Sequence, residues 1–308
     1  MTPRVSILAL CFNHESFLEE ALLSLESLTY PNLEILVADD ASTDQSLEIL
    51  KKWKARHPDW TFVFNEQNKG NCKTFNDLLK RATGEFILDF ATDDVMLPNG
   101  LEGWIRAFDT FPNTGFCYAD ALIFSTGSIQ NKRHSSTIKD QNFPEGKILL
   151  NLFSPAFICP PAVLFRKSAL LEIGGYDENL AYEDWDVWLR LSRNFSVSRY
   201  SQPVIRYRKH PDSLSASILK KRNQKHLHST LIILKRAMDW EELNGNAVWV
   251  PVVRYHLKIC GALQIPELAY GFFEILKKSG FNRSIDRFWL LLSKLPLPVH
   301  QILRFFLA

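Results

Sequence analysis

Pairs of acidic residues directly follow two apolar runs of this 308-residue chain, and together they could bind a cation. Asp39 and Asp40 follow one run, Asp93 and Asp94 follow another, and Asn13 follows the first run of the chain. If these runs are parallel strands, the side chains that follow them meet at one edge of the sheet. Four carboxylates at one edge repel each other unless a positive group binds there.

A divalent cation that carries a diphosphate would fit this edge. Magnesium-type ions take oxygen ligands and are commonly held by one or two carboxylates together with phosphate oxygens. The alternative is that these aspartates only form turns and cap helices. The sequence has neither Gly-x-Gly-x-x-Gly after the first run nor the glycine-rich loop that ends in Gly-Lys-Ser/Thr. Phosphates would therefore need the metal and basic side chains.

The elements that must position these residues alternate along the first 120 residues. The predicted strands are 5–12, 33–38, 60–64, 85–90 and 115–120, and the predicted helices are 17–28, 42–56 and 72–83, with another beginning at residue 98. Ser42 and Gln45 predict a capping box at the start of the second helix. Alternation with short connections predicts an α/β fold with a mainly parallel sheet and helices on both faces.

The second half of the chain has a different pattern. Residues 121–160 are polar and predict a loop-like wall beside the site. A strand at 162–166, a helix at 183–194 and an extended stretch at 197–208 follow, and the pattern after residue 217 is helical. We therefore predict two domains, residues 1–217 and residues 218–308.

Composition excludes several classes of protein. With 46% apolar and 23% charged residues the chain is typical of globular proteins, and its net charge of +2 gives no case for a nucleic-acid partner. The five cysteines are widely spaced and odd in number, which favours reduced thiols in a cytosolic protein over disulfides or a zinc site. The N-terminus passes directly into a strand-like run, and no apolar run approaches the roughly 18 residues of a membrane span.

Six segments, in order, resemble the successive motifs of family 2 glycosyltransferases. They are VSILALCFNHESFLEEALLSL, LEILVADDASTD, NKGNCKTFND, GEFILDFATDDVMLP, GGYDENLAYEDWDVWLRL and YRKHPDSLS. The likeness covers about residues 4–217. It implies the GT-A fold, a Rossmann-like and mainly parallel central sheet flanked by helices, here with a C-terminal helical extension.

The resemblance implies a nucleotide site at the first two strand ends. The segment from Leu10 to Asn13 would contact the nucleotide, and Phe12 would lie against the base, although it could equally be a core ring. Asp40 would accept a hydrogen bond from the ring N–H of the base, with Asp39 beside it.

The resemblance also implies a metal site that binds Mn²⁺ or Mg²⁺. Asp94 would bind the ion, and Asp93 would bind the ribose or make a second metal contact. His210 would be a further metal ligand or a structural histidine. Arg208 would offset phosphate charge, as could Arg206 or Lys209. The family commonly has another Asp two residues before Asp93, where this chain has Ala91.

Asp184 matches the position of the family's catalytic base. Inverting transfer needs one carboxylate to take a proton from the acceptor hydroxyl as it attacks the anomeric carbon. The start of a helix stabilises such an anion, so a simple cap is the alternative for Asp184. Glu183 and Trp185 would contact the acceptor, and a core position is the alternative for the Trp ring.

Taken together, the resemblance implies an inverting glycosyltransferase. It would move a sugar from a nucleotide-diphosphate donor, with UDP favoured, to a hydroxyl of a glycan or lipid-linked acceptor. Bacterial surface polysaccharide synthesis is the expected setting, and a catalytically silent nucleotide-sugar-binding scaffold is the alternative. Residues 220–308 have 14 basic and 6 acidic residues together with many aromatic ones. Such helices favour peripheral contact with the inner face of the membrane, packing on the first domain or formation of a homodimer.

Overall fold

The computed structural model describes residues 2–125, 131–211, 213, 216 and 224–294 of the chain. These residues divide into two units by their contacts: one contains residues up to 178 and 182–216, and the other contains 179–181 and 224–294. The first unit includes all of the strands that the structure describes. The assignment of the two units as separate domains with separate roles is a proposal.

The sheet of the first unit is mixed. Its strands are β1 (Val5–Cys11), β2 (Leu33–Asp39), β3 (Thr61–Phe64), β4 (Phe86–Ala91), β5 (Val95–Met96), β6 (Thr114–Ser125), β7 (Lys132–Arg133), β8 (Val163–Arg166) and β9 (Ser196–Lys209). Their order is β3-β2-β1-β4-β8-β6-β9-β5, and β7 pairs with β6. The first four strands in this order are parallel, as the sequence predicts, and β6 and β9 are also parallel. β8 is antiparallel to both of its neighbours, as is β5 to β9.

The helices of the first unit agree closely with the predicted helices, and the structure differs from the prediction in two places. They are α1 (Leu18–Glu26), α2 (Ser46–Arg56), α3 (Asn71–Arg81), α4 (Leu101–Arg106), α5 (Lys167–Glu172) and α6 (Asp184–Asn194). Helix α5 is absent from the sequence prediction. The region 121–160 is more ordered than predicted, because β6 continues to Ser125 and is followed by β7 and by short 3-10 turns.

β1 forms the centre of the parallel half of the sheet. All seven of its residues are buried, and it pairs with β2 on one side and β4 on the other. A strand buried on both faces can be apolar throughout, which explains the run VSILALC. The ends of β2 and β4 are therefore fixed on either side of the end of β1.

The predicted capping box at Ser42 and Gln45 is wrong. The Ser42 hydroxyl accepts the backbone N–H of Asn13 (2.9 Å), so it joins two loops instead of capping α2. The carboxylate of Asp44 accepts the N–H of Ser46 (2.9 Å), the first residue of the helix. The capping pattern assumes that the Ser42 hydroxyl accepts a backbone N–H of its own helix, but in the structure it accepts the N–H of Asn13 from another loop.

A carboxyl group lies inside the sheet at Asp89 of β4. Its Oδ2 accepts a hydrogen bond from the Tyr176 hydroxyl (2.9 Å), and the Tyr176 ring stacks on Phe75 with 3.8 Å between ring centroids. Asn76 holds the backbone of Tyr176 through two hydrogen bonds. Burial raises the pKa of Asp89 to about 7, although the Tyr176 hydroxyl opposes the shift.

The second unit is helical in the residues described. Its helices are α7 (Gln224–Met238), α8 (Val250–Ala262), α9 (Pro266–Lys278) and α10 (Ser284–Leu292). Arg254 of α8 pairs with the buried carboxylate of Asp286 in α10 (3.1 Å), and Gly261 lies against the backbone of Trp289. No helix within the described ranges is both long enough and apolar enough to cross a membrane.

Ala41 gives a test of backbone strain beside the acidic pair of β2. Its φ of 60° is in the left-handed region, which costs a residue with a Cβ about 1–2 kcal/mol. We expect Ala41→Gly to raise the free energy of unfolding by about 0.5–1 kcal/mol, since the added entropy of the unfolded chain offsets part of the gain. Urea unfolding of the variant and the wild type measures this change in the free energy of unfolding. The control is Ala55→Gly in the exposed part of α2, which should lower stability by about 1 kcal/mol; a loss of stability in Ala41→Gly would contradict the prediction.

Asp89 predicts a pH-dependent stability. A carboxyl whose pKa is raised in the folded state binds more protons there, so its contribution is fully present below its ordinary pKa and is lost as pH rises toward about 7. Asp89→Asn removes this loss. We therefore expect the variant to gain stability relative to the wild type between pH 4 and 8, by at most about 1.4 kcal/mol per pH unit. Urea unfolding at several pH values measures the difference, with the exposed Asp109→Asn as control; a constant difference would contradict the assignment.

Candidate functional site

The acidic segments of β2 and β4 lie on opposite sides of the end of β1. The N–H of Asp40 donates to the carbonyl of Cys11 (2.9 Å), and the N–H of Thr92 donates to the carbonyl of Leu10 (3.1 Å). Asp40 therefore borders β1 on one side, and the turn that contains Asp93 borders it on the other. This is the edge at which parallel sheets bind ligands.

Asn13 connects the loop after β1 to the loop after β2. Its backbone N–H donates to the Ser42 hydroxyl (2.9 Å), and its side-chain oxygen accepts the N–H of Thr43 (2.8 Å). The φ of Asn13 is 56°, a conformation that Asn adopts more easily than most residues. Glu15 and Asp44 add a further hydrogen bond between the loops (3.0 Å). The structure thus gives Asn13 a role in loop geometry, and its contact with a nucleotide stays a prediction.

Asp40 is held by the loop that precedes α3. Its Oδ1 accepts from the side chain of Asn65 and from the N–H of Lys69, both at 2.9 Å. Its Oδ2 accepts from the N–H of Gly70 at 2.8 Å, and Gly70 has a φ of 85°. Three donors fix the carboxylate; Oδ1 accepts two of them, and Oδ2, which accepts one, retains a lone pair for a ligand.

The other predicted nucleotide contacts differ in exposure. Asp39 is buried; one of its oxygens accepts the N–H of Ser42 (3.0 Å), while Oδ1 has no hydrogen-bond partner among the described residues. Leu10 is buried within β1, so only its backbone is near this edge. Phe12 is exposed directly after β1, where an aromatic face is open to a ligand.

Asp93 and His210 are in direct contact. The Asp93 carboxylate lies 3.0 Å from Nε2 of His210, whose ring is buried against Phe17 with 4.6 Å between centroids. Nδ1 of His210 has no hydrogen-bond partner within the described residues. His14 is also near: its Nδ1 lies 2.9 Å from the Thr92 hydroxyl, and burial lowers its pKa while the charge of Asp93 raises it.

Asp94 is buried beside the end of β9. Its Oδ1 accepts the backbone N–H of Arg208 (2.8 Å). Burial raises the pKa of Asp94 well above its usual value, and the charge of Asp93 raises it further. The hydrogen bond from Arg208 and the charge of Lys209 only partly offset these effects. Added positive charge at this pair would therefore be favourable.

The guanidinium of Arg208 is already engaged by the protein. Its Nε donates to the carbonyl of Asp93 (2.7 Å), and its Nη2 donates to Oε2 of Glu20 (2.5 Å). The group lies over the rings of Phe17 and Phe124, 4.8 and 4.5 Å from their centroids. Arg208 thus holds the turn of Asp93 in place, and its contact with the donor stays a prediction.

Lys209 is the more open of the basic side chains near Asp94. Arg206 donates to Glu20 (3.3 Å) and lies over Phe124, as Arg208 does. Lys209 is exposed, with its ammonium 3.9 Å from the centroid of the Tyr207 ring. Its charge lowers the pKa of Asp94, which means that it lies close to the acidic pair.

Glu183 and Asp184 lie at the start of α6 and are partly exposed. Asp184 Oδ1 accepts the N–H of Trp185 (2.6 Å), and Glu183 Oε2 lies 3.9 Å from Sγ of Cys72 in α3. Burial raises the pKa of both carboxyls, and for Glu183 the charges of Asp184 and Asp89 raise it further. The helix start favours the ionised form of Asp184, so Asp184 is more readily present than Glu183 as a carboxylate that can accept a proton.

Trp185 is packed against the 3-10 turn at 149–153. Its Nε1 donates to the carbonyl of Leu152 (2.7 Å), and its ring meets Phe153 edge-on with 6.0 Å between centroids. Trp188 is buried as well. The ring of Trp185 therefore contributes to packing, and its contact with an acceptor stays a prediction.

The site residues form two groups around the end of β1. In one, Gly70 holds Asp40 and the nearby Cys72 contacts Glu183, so the start of α3 connects the predicted nucleotide contact with the residue that precedes the predicted catalytic base. In the other group, Asp93, Asp94 and His210 lie together.

Sequence reasoning missed the supports of these groups, above all Glu20, His14 and Asn65. Glu20 lies in α1 one turn from Phe17, and His14 directly follows Asn13, but neither spacing indicates its partner.

Three groups could contribute to a metal site: Asp93, Asp94 and His210. The described part of the chain has no cluster of three or more His, Cys, Asp or Glu side chains arranged to hold an ion. The buried carboxylate pair lacks a full counter-charge, and His210 has an unused ring nitrogen. A divalent cation at these residues would therefore also need ligands from a bound phosphate, and the metal site stays a prediction.

Comparisons with known proteins bear on the family and the fold of this chain. The family described as Glycosyl transferase family 2 matches residues 6–174. Poly-beta-1,6-N-acetyl-D-glucosamine synthase of Staphylococcus epidermidis is 30% identical over 58% of this chain, and the putative glycosyltransferase EpsE of Bacillus subtilis is 29% identical over 61%. The matched regions span 43% and 66% of those two proteins.

Two solved structures show the same fold. S. aureus TarS 1-349, in complex with UDP-GlcNAc, aligns with a TM-score of 0.69 and 18% identity over 94% of this chain and 89% of its own. The mannosyltransferase PcManGT from Pyrobaculum calidifontis, in complex with GDP-Man and Mn²⁺, aligns with a TM-score of 0.58 and 15% identity over 99% of this chain and 88% of its own. From the family match and these folds, the chain belongs to glycosyl transferase family 2 and has the GT-A fold.

Proposed function

We propose that this protein is an inverting glycosyltransferase that moves a sugar from a nucleotide-diphosphate donor, with UDP-sugars favoured, to a hydroxyl of a glycan or lipid-linked acceptor. The observation that carries the proposal is the arrangement around the end of β1. Asp40 is held beside this end by three donors, and the Asp93–Asp94 pair lies across β1 with incomplete counter-charge. A nucleotide with a metal-bound diphosphate matches both features.

The nucleotide would bind between the exposed Phe12 ring and the Asp40 carboxylate. An aromatic face can stack on any base, so Phe12 would contribute affinity rather than base specificity. Asp40 is already oriented by Asn65, Lys69 and Gly70, and an oriented carboxylate can select a base that presents a ring N–H. Uracil and guanine both present a ring N–H, so the preference for UDP rests on the solved structure of TarS with UDP-GlcNAc.

The diphosphate would lie beside Asp93 and Asp94. Mn²⁺ or Mg²⁺ held by these residues and His210 would, when bound, neutralise phosphate charge as a Lewis acid. Lys209 is close to the pair and exposed, so its ammonium can pair with a phosphate oxygen and stabilise the departing nucleoside diphosphate. Arg208, engaged by Asp93 and Glu20, would keep the turn of the acidic pair in place.

Asp184 would act as the general base. The acceptor hydroxyl oxygen forms the new bond to the anomeric carbon as the bond from that carbon to the diphosphate oxygen breaks, and the proton passes to Asp184. Attack opposite the leaving group inverts the configuration. Its raised pKa brings Asp184 closer to neutral pH, where a carboxylate is a more effective base.

The setting we propose is bacterial surface polysaccharide or glycolipid synthesis at the cytoplasmic side of the membrane. One relative, the poly-beta-1,6-N-acetyl-D-glucosamine synthase, supports polysaccharide synthesis by name, while EpsE is named only as a putative glycosyltransferase. The chain matches only part of each of these proteins, so the activity of the whole relative is not carried over.

Replacement of the base tests the reaction. We expect Asp184→Asn to lower the turnover of UDP-sugars with Mn²⁺ by roughly 10²–10⁴-fold, the usual contribution of general base catalysis, while calorimetry finds UDP binding unchanged. Glu183→Gln is the matched control and should lose much less. A thermal-shift panel of nucleotide sugars first identifies the donor. An unchanged rate in Asp184→Asn would exclude its role, and binding of UDP without any turnover by the wild type would favour the scaffold alternative.

Lys209 predicts a specific loss of diphosphate affinity. An ion pair with a phosphate contributes about 1.5–3 kcal/mol, so Lys209→Ala should weaken UDP binding by roughly 10–100-fold. Uridine lacks the diphosphate and should bind the variant and the wild type alike. Lys80→Ala, at an exposed lysine of α3, is the control. Equal loss for uridine and UDP would mean that Lys209 acts on the fold and not on the phosphates; both ligands are measured by calorimetry.

A further inference from the structure

Helix α10 has more apolar surface than its packing covers. Trp289 and Leu292 are buried within the second unit. Ile285, Phe288 and Leu291 are 52%, 44% and 62% exposed, and they recur every three residues, which places them along one side of the helix. Three large apolar side chains in a row on a solvent-facing side mark an interaction surface.

The charges around this row are positive. Between residues 277 and 294 the chain has five basic side chains and one acidic side chain, and all five basic residues are exposed: Lys277, Lys278, Arg283, Arg287 and Lys294. The acidic residue, Asp286, is buried, accepts the N–H of Arg283 (2.7 Å) and pairs with Arg254 (3.1 Å). Arg287 lies in α10 and Arg283 and Lys294 flank it, while Lys277 and Lys278 end α9, so the helix is apolar along one line and has cations within it and near both of its ends in the chain.

We propose that this surface, formed by Ile285, Phe288, Leu291 and the five basic residues, binds the headgroup region of an anionic lipid bilayer. A short amphipathic helix can lie in the plane of the interface, with its apolar side chains at the acyl boundary and its cations among lipid phosphates. Each Lys or Arg near an anionic leaflet adds to the attraction, and five are present.

Charge also favours the bilayer over a second copy of the chain. A symmetric dimer through this face would bring the five cations of each copy together, and like charges at an interface oppose association. An anionic surface supplies the opposite charge along the full length of the helix. Such binding is independent of the reaction proposed above, and it would hold the protein where lipid-linked acceptors are found.

Vesicle flotation with the full chain tests the proposal. We expect the protein to float with phosphatidylglycerol vesicles at low salt and not with phosphatidylcholine vesicles. Ile285→Ser, Phe288→Ser and Leu291→Ser together should lower the partition coefficient about tenfold or more, because three buried apolar contacts are lost. The matched control is Leu23→Ser with Leu171→Ser, two leucines of the first unit that are 45% and 53% exposed and should have no effect.

A charge variant keeps the test decisive should the triple serine variant fold poorly. Arg283→Gln, Arg287→Gln and Lys294→Gln alter only exposed side chains and should also lower binding to phosphatidylglycerol vesicles roughly tenfold or more. Unchanged binding in either folded variant would overturn the proposal. So would equal binding to phosphatidylcholine, or light scattering that shows a dimer of the wild type and a monomer of the triple serine variant.

Discussion

The pairing of β1 between β2 and β4 is the constraint on which the site depends. It brings the chain segments that follow three strands to one edge, with Asp40 on one side of β1 and the Asp93–Asp94 pair on the other. Within that pair, burial raises the pKa of Asp94 and the charge of Asp93 raises it further, while Arg208 and Lys209 only partly offset these effects. A globular protein gains nothing from such a cluster by itself, so the cluster is best understood as half of an interaction that a cationic ligand completes.

Much of the polar network around this edge serves to hold its shape. Asn13, Ser42 and Thr43 join two loops, while Arg208, which pairs with Glu20 and lies over two aromatic rings, holds the turn of Asp93. Asn13 and Arg208, which the family resemblance places on the ligand, are thus engaged by contacts within the protein. Recognition would then depend on how accurately these supports fix the buried Asp40 and the more exposed Phe12, Lys209 and Asp184.

The two ends of the chain use hydrophobic surface in different ways. In the first unit, apolar strands are buried on both faces and leave their polar ends for chemistry. In the second unit, α10 packs one side against α8 and leaves a second apolar side exposed between cations. One side of an amphipathic helix can thus pack within the protein, while its other side is available to contact a lipid bilayer.

The sequence by itself determined the parallel half of the sheet, most element boundaries and the placement of Asp40 and the Asp93 turn on either side of the end of β1. Those features follow from periodicity and from the rule that parallel strands end at one edge, both of which are local or topological. Only the tertiary structure decided the antiparallel half, the partners of Ser42 and Arg208, the burial of Trp185 and the open position of Lys209. These depend on contacts between residues far apart in the chain, such as Glu20 with Arg208, and no spacing in the sequence encodes which of several possible partners lies nearest.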